Sequence, residues 1–291
     1  MKTALYCAAI ALAAHLSAAH AAEIEGYSRG GGVFRSYAVN GVPLLDSFYF
    51  RFTDHERHVQ AIQVEPASPV HNPCAECSPV PPGQIFLTFQ DEDRDDEYFY
   101  KVSHVDLPAG VQRHRTSDYC LETCKQLLDS HERGSVFVIT GFAFFFPGAD
   151  HHLKRVGLWE QNGVLEVHFT DENRDNLFRY ELEYVYLPAA MVAAHGNVSG
   201  VEARGGASAT LNLGPVATGP TVLCGFDLVF RPELDLGLTY DQEIQEIGVR
   251  TPGNKVEVYF ANDDLDRFDW GVDWAVLARV PVFDPGSPRA P

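Results

Sequence analysis

The chain has 291 residues, of which 45% are hydrophobic and 19 are Phe, so it is long enough to bury a large core. It carries 22 Lys and Arg against 40 Asp and Glu, a formal net charge of −18. Such an acidic surface repels nucleic acid and anionic lipid and suits cations or neutral ligands such as sugars, which argues against DNA and RNA partners.

The first 21 residues are typical of a secretory signal peptide. Lys2 is their only charged residue, an apolar run extends from Ala4 to Leu16, and Ala19 to Ala21 form a small-x-small cleavage site. Cleavage there predicts an exported protein, periplasmic or extracellular, whose net charge becomes −19 because Lys2 is lost from −18. No later apolar run approaches a spanning length, which predicts no membrane insertion.

One order of features occurs three times, over residues 48–108, 141–188 and 225–281. Each copy has an aromatic strand, a polar hinge, an apolar triplet, a second strand ending in Phe, an acidic turn and a final aromatic strand that closes at Pro. Strict alternation, as in Phe142 and Phe144, indicates strands with one buried face. The sequence therefore predicts an all-β fold of three tandem repeated antiparallel β-sandwich-like modules, with one short disulfide-tethered helix.

Composition shifts divide the chain between these modules. The predicted segments are a signal peptide at 1–21, module 1 at 22–108 with a Cys- and Pro-rich insertion at 65–83, a helical connector with C-x3-C at 109–135, module 2 at 136–188, an Ala- and Gly-rich linker with one or two weak strands at 189–220, module 3 at 221–283, and a tail at 284–291.

Aligning the apolar triplets places His58, His152 and Glu243 in one column, each directly before the first apolar position. If the modules form a pseudo-threefold ring, these side chains converge. Two His and one carboxylate are a known ligand set for Zn2+ or non-haem Fe. The alternative interpretation is a polar turn with surface histidines.

The acidic turns carry oxygen ligands at every second position, a spacing that suits Ca2+. An EF-hand is excluded because Val102 and Leu182 stand where its Glu is required in the first two copies. A simpler Ca2+ turn and a solvated hairpin stay open as alternatives. The predicted Ca2+ ligands are Asp91, Asp93, Asp95, Asp171, Asn173, Asp175, Asn262, Asp264 and Asp266.

The two segments that are extra to the modules both carry cysteines. Cys120 and Cys124 are i, i+4 on a helix predicted within 117–134 and therefore face the same way. In an exported protein we expect two disulfides between this helix and the insertion, with a structural Zn2+ as the alternative. The predicted disulfide cysteines are Cys74, Cys77, Cys120 and Cys124. Cys224 lies in an apolar run and is predicted to be a buried thiol.

The sequence lacks G-x-S-x-G, H-E-x-x-H, the P-loop and the Rossmann glycine pattern, which favours a protein that is not an enzyme. The second half of each module instead resembles the H-type lectin domain, a six-stranded antiparallel sandwich that assembles as trimers. The similar segments are Val164–Phe169, Asp171 and Leu182–Tyr186, with Val256–Phe260 and Val272–Val276 in the third copy. The resemblance implies a covalent pseudo-trimer and assigns no sugar-binding residue.

These observations predict a secreted or periplasmic binding protein for carbohydrate or another cell-surface ligand, with Ca2+ as a possible ion. A metalloenzyme that uses the His58, His152 and Glu243 column is one alternative. A structural envelope or adhesion protein is the other.

Overall fold

The computed structural model describes most of the chain in segments separated by short gaps. The described residues are 21–29, 32–36, 41–53, 58–66, 84–91, 97–108, 111–128, 134–147, 152–171, 177–202, 206–211, 219–231, 243–262 and 267–278. Three predicted segments lie wholly or mostly outside the described residues. They are the signal peptide except for Ala21, the insertion beyond Pro66, and the tail.

The described chain is almost entirely β-strand, which confirms the predicted fold class. Six strands fall in each of three consecutive segments, called modules 1, 2 and 3. Module 1 contains β1 (Ala21–Arg29), β2 (Val33–Ser36), β3 (Gly41–Phe52), β4 (Val59–Pro66), β5 (Gln84–Asp91) and β6 (Glu97–Pro108). Module 2 contains β7 (His114–Leu121), β8 (Thr123–Leu127), β9 (Ser135–Phe145), β10 (Leu153–Gln161), β11 (Val164–Asp171) and β12 (Leu177–Pro188). Module 3 contains β13 (Val192–Glu202), β14 (Gly206–Thr210), β15 (Thr221–Phe230), β16 (Ile244–Arg250), β17 (Lys255–Asn262) and β18 (Phe268–Leu277).

The strands form three six-stranded antiparallel sheets. Sheet I has the order β1-β6-β3-β16-β17-β14, sheet II β2-β5-β4-β9-β12-β7 and sheet III β13-β18-β15-β10-β11-β8. Each sheet therefore joins the first, sixth and third strands of one module to the fourth, fifth and second strands of another. Each module is a sandwich of two half-sheets, and every sheet is shared between two modules.

Alternating apolar side chains fill the sandwiches. In module 1, Phe50 and Phe52 of sheet I stack on Phe89 of sheet II, with ring centroids 5.4 and 4.3 Å apart. In module 2, Phe144 stacks on Phe169 in the same way at 5.1 Å. Burial of such large rings is the main favourable term in folding, and the period of two directs every second ring inward.

The three sandwiches meet at an aromatic triangle. Phe48, Phe142 and Phe226, from the third strand of each module, contact one another with ring centroids 4.9, 5.1 and 5.3 Å apart. All three side chains are buried, and one continuous core extends from this triangle into every sandwich.

A β-bulge precedes each ring of this triangle. The register shifts between Leu45 and Ser47, at Ile139 to Gly141 opposite Glu183 and Tyr184, and between Leu223 and Gly225. A bulge adds one residue and reverses which face of the strand points inward. The residues before the bulges consequently form a second, separate core that draws on all three modules.

The predicted helical connector is wrong. Residues 114–127 form strands β7 and β8, separated by Glu122 with a positive φ of 57°. This sharp turn brings Cys120 and Cys124 together as a disulfide with a Cα–Cα distance of 5.7 Å. The predicted pairing of this segment with the insertion is therefore also wrong; Cys74 and Cys77 lie outside the described residues. Cys224 is a free, buried thiol, as expected.

The predicted linker contributes structure to two sheets. Residues 189–220 contain a short 3-10 helix (Ala189–Met191) and the edge strands β13 and β14. Within the described residues, no helix is long and apolar enough to cross a membrane.

Candidate functional site

The structure places the first residue of each acidic turn at a strand end. Asp91, Asp171 and Asn262 end β5, β11 and β17, and all three are at most 2% exposed. Each is paired in register with the first residue of the neighbouring fourth strand, as Asp171 is with Leu153. The other six predicted ligands lie outside the described residues. Calcium binding by these turns stays a prediction.

The histidine column does converge in space. The rings of His58 and His152 contact each other, with centroids 4.2 Å apart. The Nε2 atom of His58 lies 3.6 Å from Oε1 of Glu243. These three residues, which we call the axial cluster, come from three modules and directly precede β4, β10 and β16. Across the described part of the chain, no group of three or more His, Cys, Asp or Glu side chains is placed so that it could hold a metal ion, and this includes the axial cluster in its present side-chain arrangement.

A pocket of about 560 Å3 lies against sheet III, at the junction with the start of β9. It takes residues from β10 and its turn, and from β13, β15 and β18. Sequence reasoning did not identify this pocket. Its lining includes Trp159, Glu160, His195, Asn197, Cys224, Asp227, Asp273 and Trp274.

An amide and a carboxylate form the polar pair of the pocket. Asn197 on β13 is in register with Asp273 on β18, and its Nδ2 donates a hydrogen bond of 2.7 Å to Asp273 Oδ1. Burial raises the pKa of Asp273 above its usual 3.8, and the bond from Asn197 partly offsets this effect. The second carboxylate oxygen lies beside Gly225, where an added Cβ would be only 3.1 Å from it. Gly225 therefore leaves Asp273 room to face the pocket.

Trp159 supplies a partly exposed aromatic wall. Its ring stacks on His168, with centroids 4.8 Å apart and an interplanar angle of 22°. The Arg155 guanidinium lies 5.6 Å from the Trp159 ring centroid and is itself held by Asp227 through bonds of 2.8 and 3.0 Å. A ring held by such contacts keeps one orientation, as a preorganised binding site requires.

His168 is in turn fixed by two polar contacts. Its Nδ1 is 2.8 Å from the Thr123 hydroxyl and its Nε2 is 3.1 Å from Glu166. Burial lowers the pKa of His168, with Arg155 as the next cause. The neutral imidazole is therefore favoured beneath Trp159.

A two-residue hairpin turn forms one rim of the pocket. Asn162 and Gly163 have φ of 55° and 82°, the two positive values of a type I′ turn. The backbone N–H of Gly163 donates to Glu160 Oε1, which ties this carboxylate to the turn. The dipeptide Asn-Gly is a strong hairpin signal, and it is the one sequence feature that could have located this rim.

The buried side of the pocket contains an inert thiol and an indole. Burial, followed by the charges of Asp273 and Glu160, raises the pKa of Cys224 well above its usual value, so the thiol stays protonated. Trp274 is 7% exposed, and its Nε1 donor is buried without a hydrogen-bond acceptor among the described residues.

On sheet II, the position that corresponds to the Asn197–Asp273 pair is occupied by side-chain ion pairs. There the register pair is Arg115 with Glu183. Arg115 also contacts Glu181 closely and approaches Glu65 to 3.6 Å, and all three carboxylates are at least 94% buried within the sheet, with exposures of 6, 3 and 4%. Arg113 and Arg179 also contact Glu183 and Glu181, so three guanidinium groups face the three carboxylates at this position.

On sheet I, the position that corresponds to the Asn197–Asp273 pair holds small and polar side chains. Its register pair is Glu23 with Ser103, beside a pocket of about 320 Å3. Ser47 donates to Asp46 at 2.6 Å, and Ser103 bonds the same carboxylate. Arg250 occupies the place on the fourth strand that Trp159 has in sheet III, because each residue directly follows the one that pairs with a Phe of the aromatic triangle. Sheet III thus differs from the other two in its aromatic wall, and its pocket is larger than the one on sheet I.

Comparisons with known proteins give no family assignment. No family model matches the chain, and no curated protein matches it. Among solved structures, the major capsid protein P2 from bacteriophage PM2 aligns with 8% identity over 89% of this chain and 98% of its own, at a TM-score of 0.21. The entire lipid-containing bacteriophage PM2 gives 9% identity, coverages of 88% and 87%, and a TM-score of 0.15. Sulfolobus Turreted Icosahedral Virus gives 6% identity, coverages of 86% and 83%, and a TM-score of 0.14. These scores are too low to carry an argument about fold or function.

Proposed function

We propose that the chain is a binding protein whose pocket on sheet III takes a neutral carbohydrate. The observation that carries this proposal is the combination of the Trp159 indole with the Asn197–Asp273 pair in one pocket of about 560 Å3. A sugar ring has an apolar C–H face that packs on an indole and hydroxyl groups that both donate and accept hydrogen bonds. Pockets of this size with few polar groups in fixed positions are typical small-molecule sites.

The charge of the pocket supports a neutral ligand over an anionic one. Glu160, Asp227 and Asp273 all line it, within a chain of net charge −18. An anionic ligand would be repelled by these carboxylates, whereas hydroxyl groups can donate to them. The Trp159 ring and the Asn197 amide are already held in place in the unbound chain. Binding therefore costs less side-chain conformational entropy.

A glycan array probed with the full chain, with and without chelator, tests this proposal. For any glycan that binds, we expect Trp159→Ala to weaken binding at least about tenfold, since buried aromatic contacts dominate binding free energies. Arg250→Ala is the matched control, because it removes the side chain at the corresponding position of sheet I. The absence of glycan binding, or equal affinities for the wild-type chain and Trp159→Ala, would contradict the proposal.

A structural or adhesion role is the second candidate. The observation that favours it is a group of exposed apolar residues on the disulfide-linked edge strands β7 and β8. Tyr119, Leu121 and Leu127 are 59, 60 and 70% exposed. Apolar side chains along unpaired sheet edges favour contact with another chain.

Sedimentation velocity over a concentration series separates the two candidates. A structural protein should assemble without any glycan, and Leu121→Lys with Leu127→Lys should reduce that assembly. Val201→Lys, at an exposed apolar position on β13 at the opposite edge of sheet III, is the comparison variant. A chain that stays monomeric at all concentrations would argue against the structural role.

A further inference from the structure

The axial cluster joins the three modules at one point. His58, His152 and Glu243 occupy the same position in their modules, directly before the fourth strand. The structure brings them into contact although they are far apart in the chain: His58 touches His152 at a centroid distance of 4.2 Å and Glu243 at 3.6 Å. Each donor therefore comes from a different module.

The distance between His58 and Glu243 fits two ligands of one ion. At 3.6 Å, Nε2 and Oε1 are too far apart for a good hydrogen bond. Two ligands of a tetrahedral Zn2+ ion, each bonded at about 2.0–2.1 Å, stand about 3.3 Å apart. A small adjustment of these side chains would accommodate the ion between the two atoms.

The axial cluster is partly buried and partly exposed to solvent. The side chains of His58 and Glu243 are 19 and 34% exposed. The Nε2 atom of His58 and the Nδ1 atom of His152 are themselves buried. Water is partly excluded from the donor atoms, while Glu243 keeps part of its side chain in contact with solvent.

We propose that His58, His152 and Glu243 bind one divalent transition-metal ion of the Zn2+ class, and that this ion ties the three modules together. Imidazole nitrogen with carboxylate oxygen is a donor set that Zn2+ accepts. Because the three side chains as they stand are not placed to hold a metal ion, binding requires them to change rotamer so that all three donors face one point. The ion would stabilise the folded chain because it binds donors that only folding brings together.

The test uses the full chain without a histidine tag. After dialysis against chelator, the protein is titrated with Zn2+ by calorimetry and with Co2+ by visible absorption, which reports tetrahedral coordination. We expect one ion per chain and a higher melting temperature with Zn2+. His152→Ala and the isosteric Glu243→Gln should each weaken Zn2+ binding at least about tenfold, because each removes a direct ligand.

His114→Ala is the control, since His114 lies on β7 and stacks on Tyr184 away from the cluster. It should bind Zn2+ as the wild-type chain does. The proposal is overturned if the wild-type chain binds no Zn2+ at micromolar concentration, or if all three variants bind it equally. Glu243→Gln keeps the test valid if His152→Ala fails to fold.

Discussion

Asn197 and Asp273 stand opposite each other on β13 and β18, joined by a hydrogen bond of 2.7 Å from the Asn197 amide to the Asp273 carboxylate. The bond compensates only part of the cost of burying that charge, because burial still raises the pKa of Asp273. The ionised Asp273 carboxylate therefore opposes folding slightly at neutral pH. It also gives the pocket a hydrogen-bond acceptor in a fixed position. A group kept at such a cost is typical of a functional site.

Asp273→Asn should stabilise the chain at pH 7. A carboxyl whose pKa is raised on folding destabilises the protein above that raised pKa, and the penalty disappears as the pH falls toward the unfolded value of 3.8. The amide carries no charge and can still accept from Asn197. Urea unfolding should show the variant to be more stable at pH 7, with the difference shrinking on acidification. A variant less stable than the wild type at pH 7 would contradict this account.

His104 should make the chain sensitive to mild acid. It is 1% exposed, and burial lowers its pKa from 6.5 to about 4. Because the unfolded chain binds the proton more readily, stability is full above pH 6.5 and is lost as the pH falls from 6.5 toward about 4. The shift corresponds to a loss of up to about 3 kcal/mol.

Replacing this histidine isolates its contribution to acid sensitivity. The free energy of unfolding of His104→Leu should fall less steeply than that of the wild-type chain over the same pH range. His195→Leu, at an exposed position of β13, is the control and should follow the wild type. Parallel pH profiles for His104→Leu and the wild-type chain would show that His104 does not titrate in this way.

Arg115 should be the most costly surface arginine to remove. Its guanidinium contacts Glu181 and lies 3.6 Å from Glu65 and from Glu183, all of which are buried. Arg115→Ala would leave these carboxylates short of positive charge, and breaking a buried pair costs about 3–5 kcal/mol. Because Arg115 is 29% exposed, we expect the low end, about 3 kcal/mol, by urea unfolding.

Lys101 provides the comparison for Arg115. It pairs with Glu23 and Glu25 at 2.8 and 3.1 Å, but both carboxylates are about half exposed, at 48 and 58%. Exposed pairs contribute about 0–1 kcal/mol, so Lys101→Ala should be nearly neutral. Equal losses for the two variants would show that burial does not decide the strength of these pairs.

Calcium should raise the melting temperature more than magnesium does if the acidic turns bind it. Carboxylates gathered in one turn repel each other, and Ca2+ offsets that repulsion, whereas Mg2+ gives up its water reluctantly. Asp171→Asn combined with Asp175→Asn should reduce the rise in melting temperature that Ca2+ causes. This rise is the difference between the variant with Ca2+ and the same variant in chelator, so the effect of the substitutions on stability alone cancels. Identical melting curves in calcium, magnesium and chelator would show that the turns are solvated hairpins.

The sequence alone predicted the aromatic strands of the three copies and their buried faces. The alternation of Phe142, Phe144 and Phe146 predicted a strand with a buried face, and those rings are at most 3% exposed. Alternation is local, because a pleated strand directs every second side chain to the same side wherever it pairs. The position of His58, His152 and Glu243 before each apolar triplet was likewise readable from the chain, and the structure places them together.

Tertiary structure decided the state of the cysteine segment. The spacing of Cys120 and Cys124 suits one face of a helix, but a turn at Glu122 also brings residues four apart together. Both conformations satisfy the local pattern. Pairing of β7 with β12 and of β8 with β11 selects the extended one.

The pocket depends on strand pairing between modules, which local patterns do not encode. Trp159 belongs to module 2, whereas Asn197, Gly225 and Asp273 belong to module 3, and they meet because β10 pairs with β15 in sheet III. The alternation of each strand shows which side chains leave the core, but not which strand lies beside it or in what register. The sequence by itself thus determined the aromatic strands, their buried faces and the recurring order of features, because alternation is local. Pairing between strands decided that β7 and β8 are extended, and the exchange of half-sheets between modules decided which polar and aromatic residues share a site.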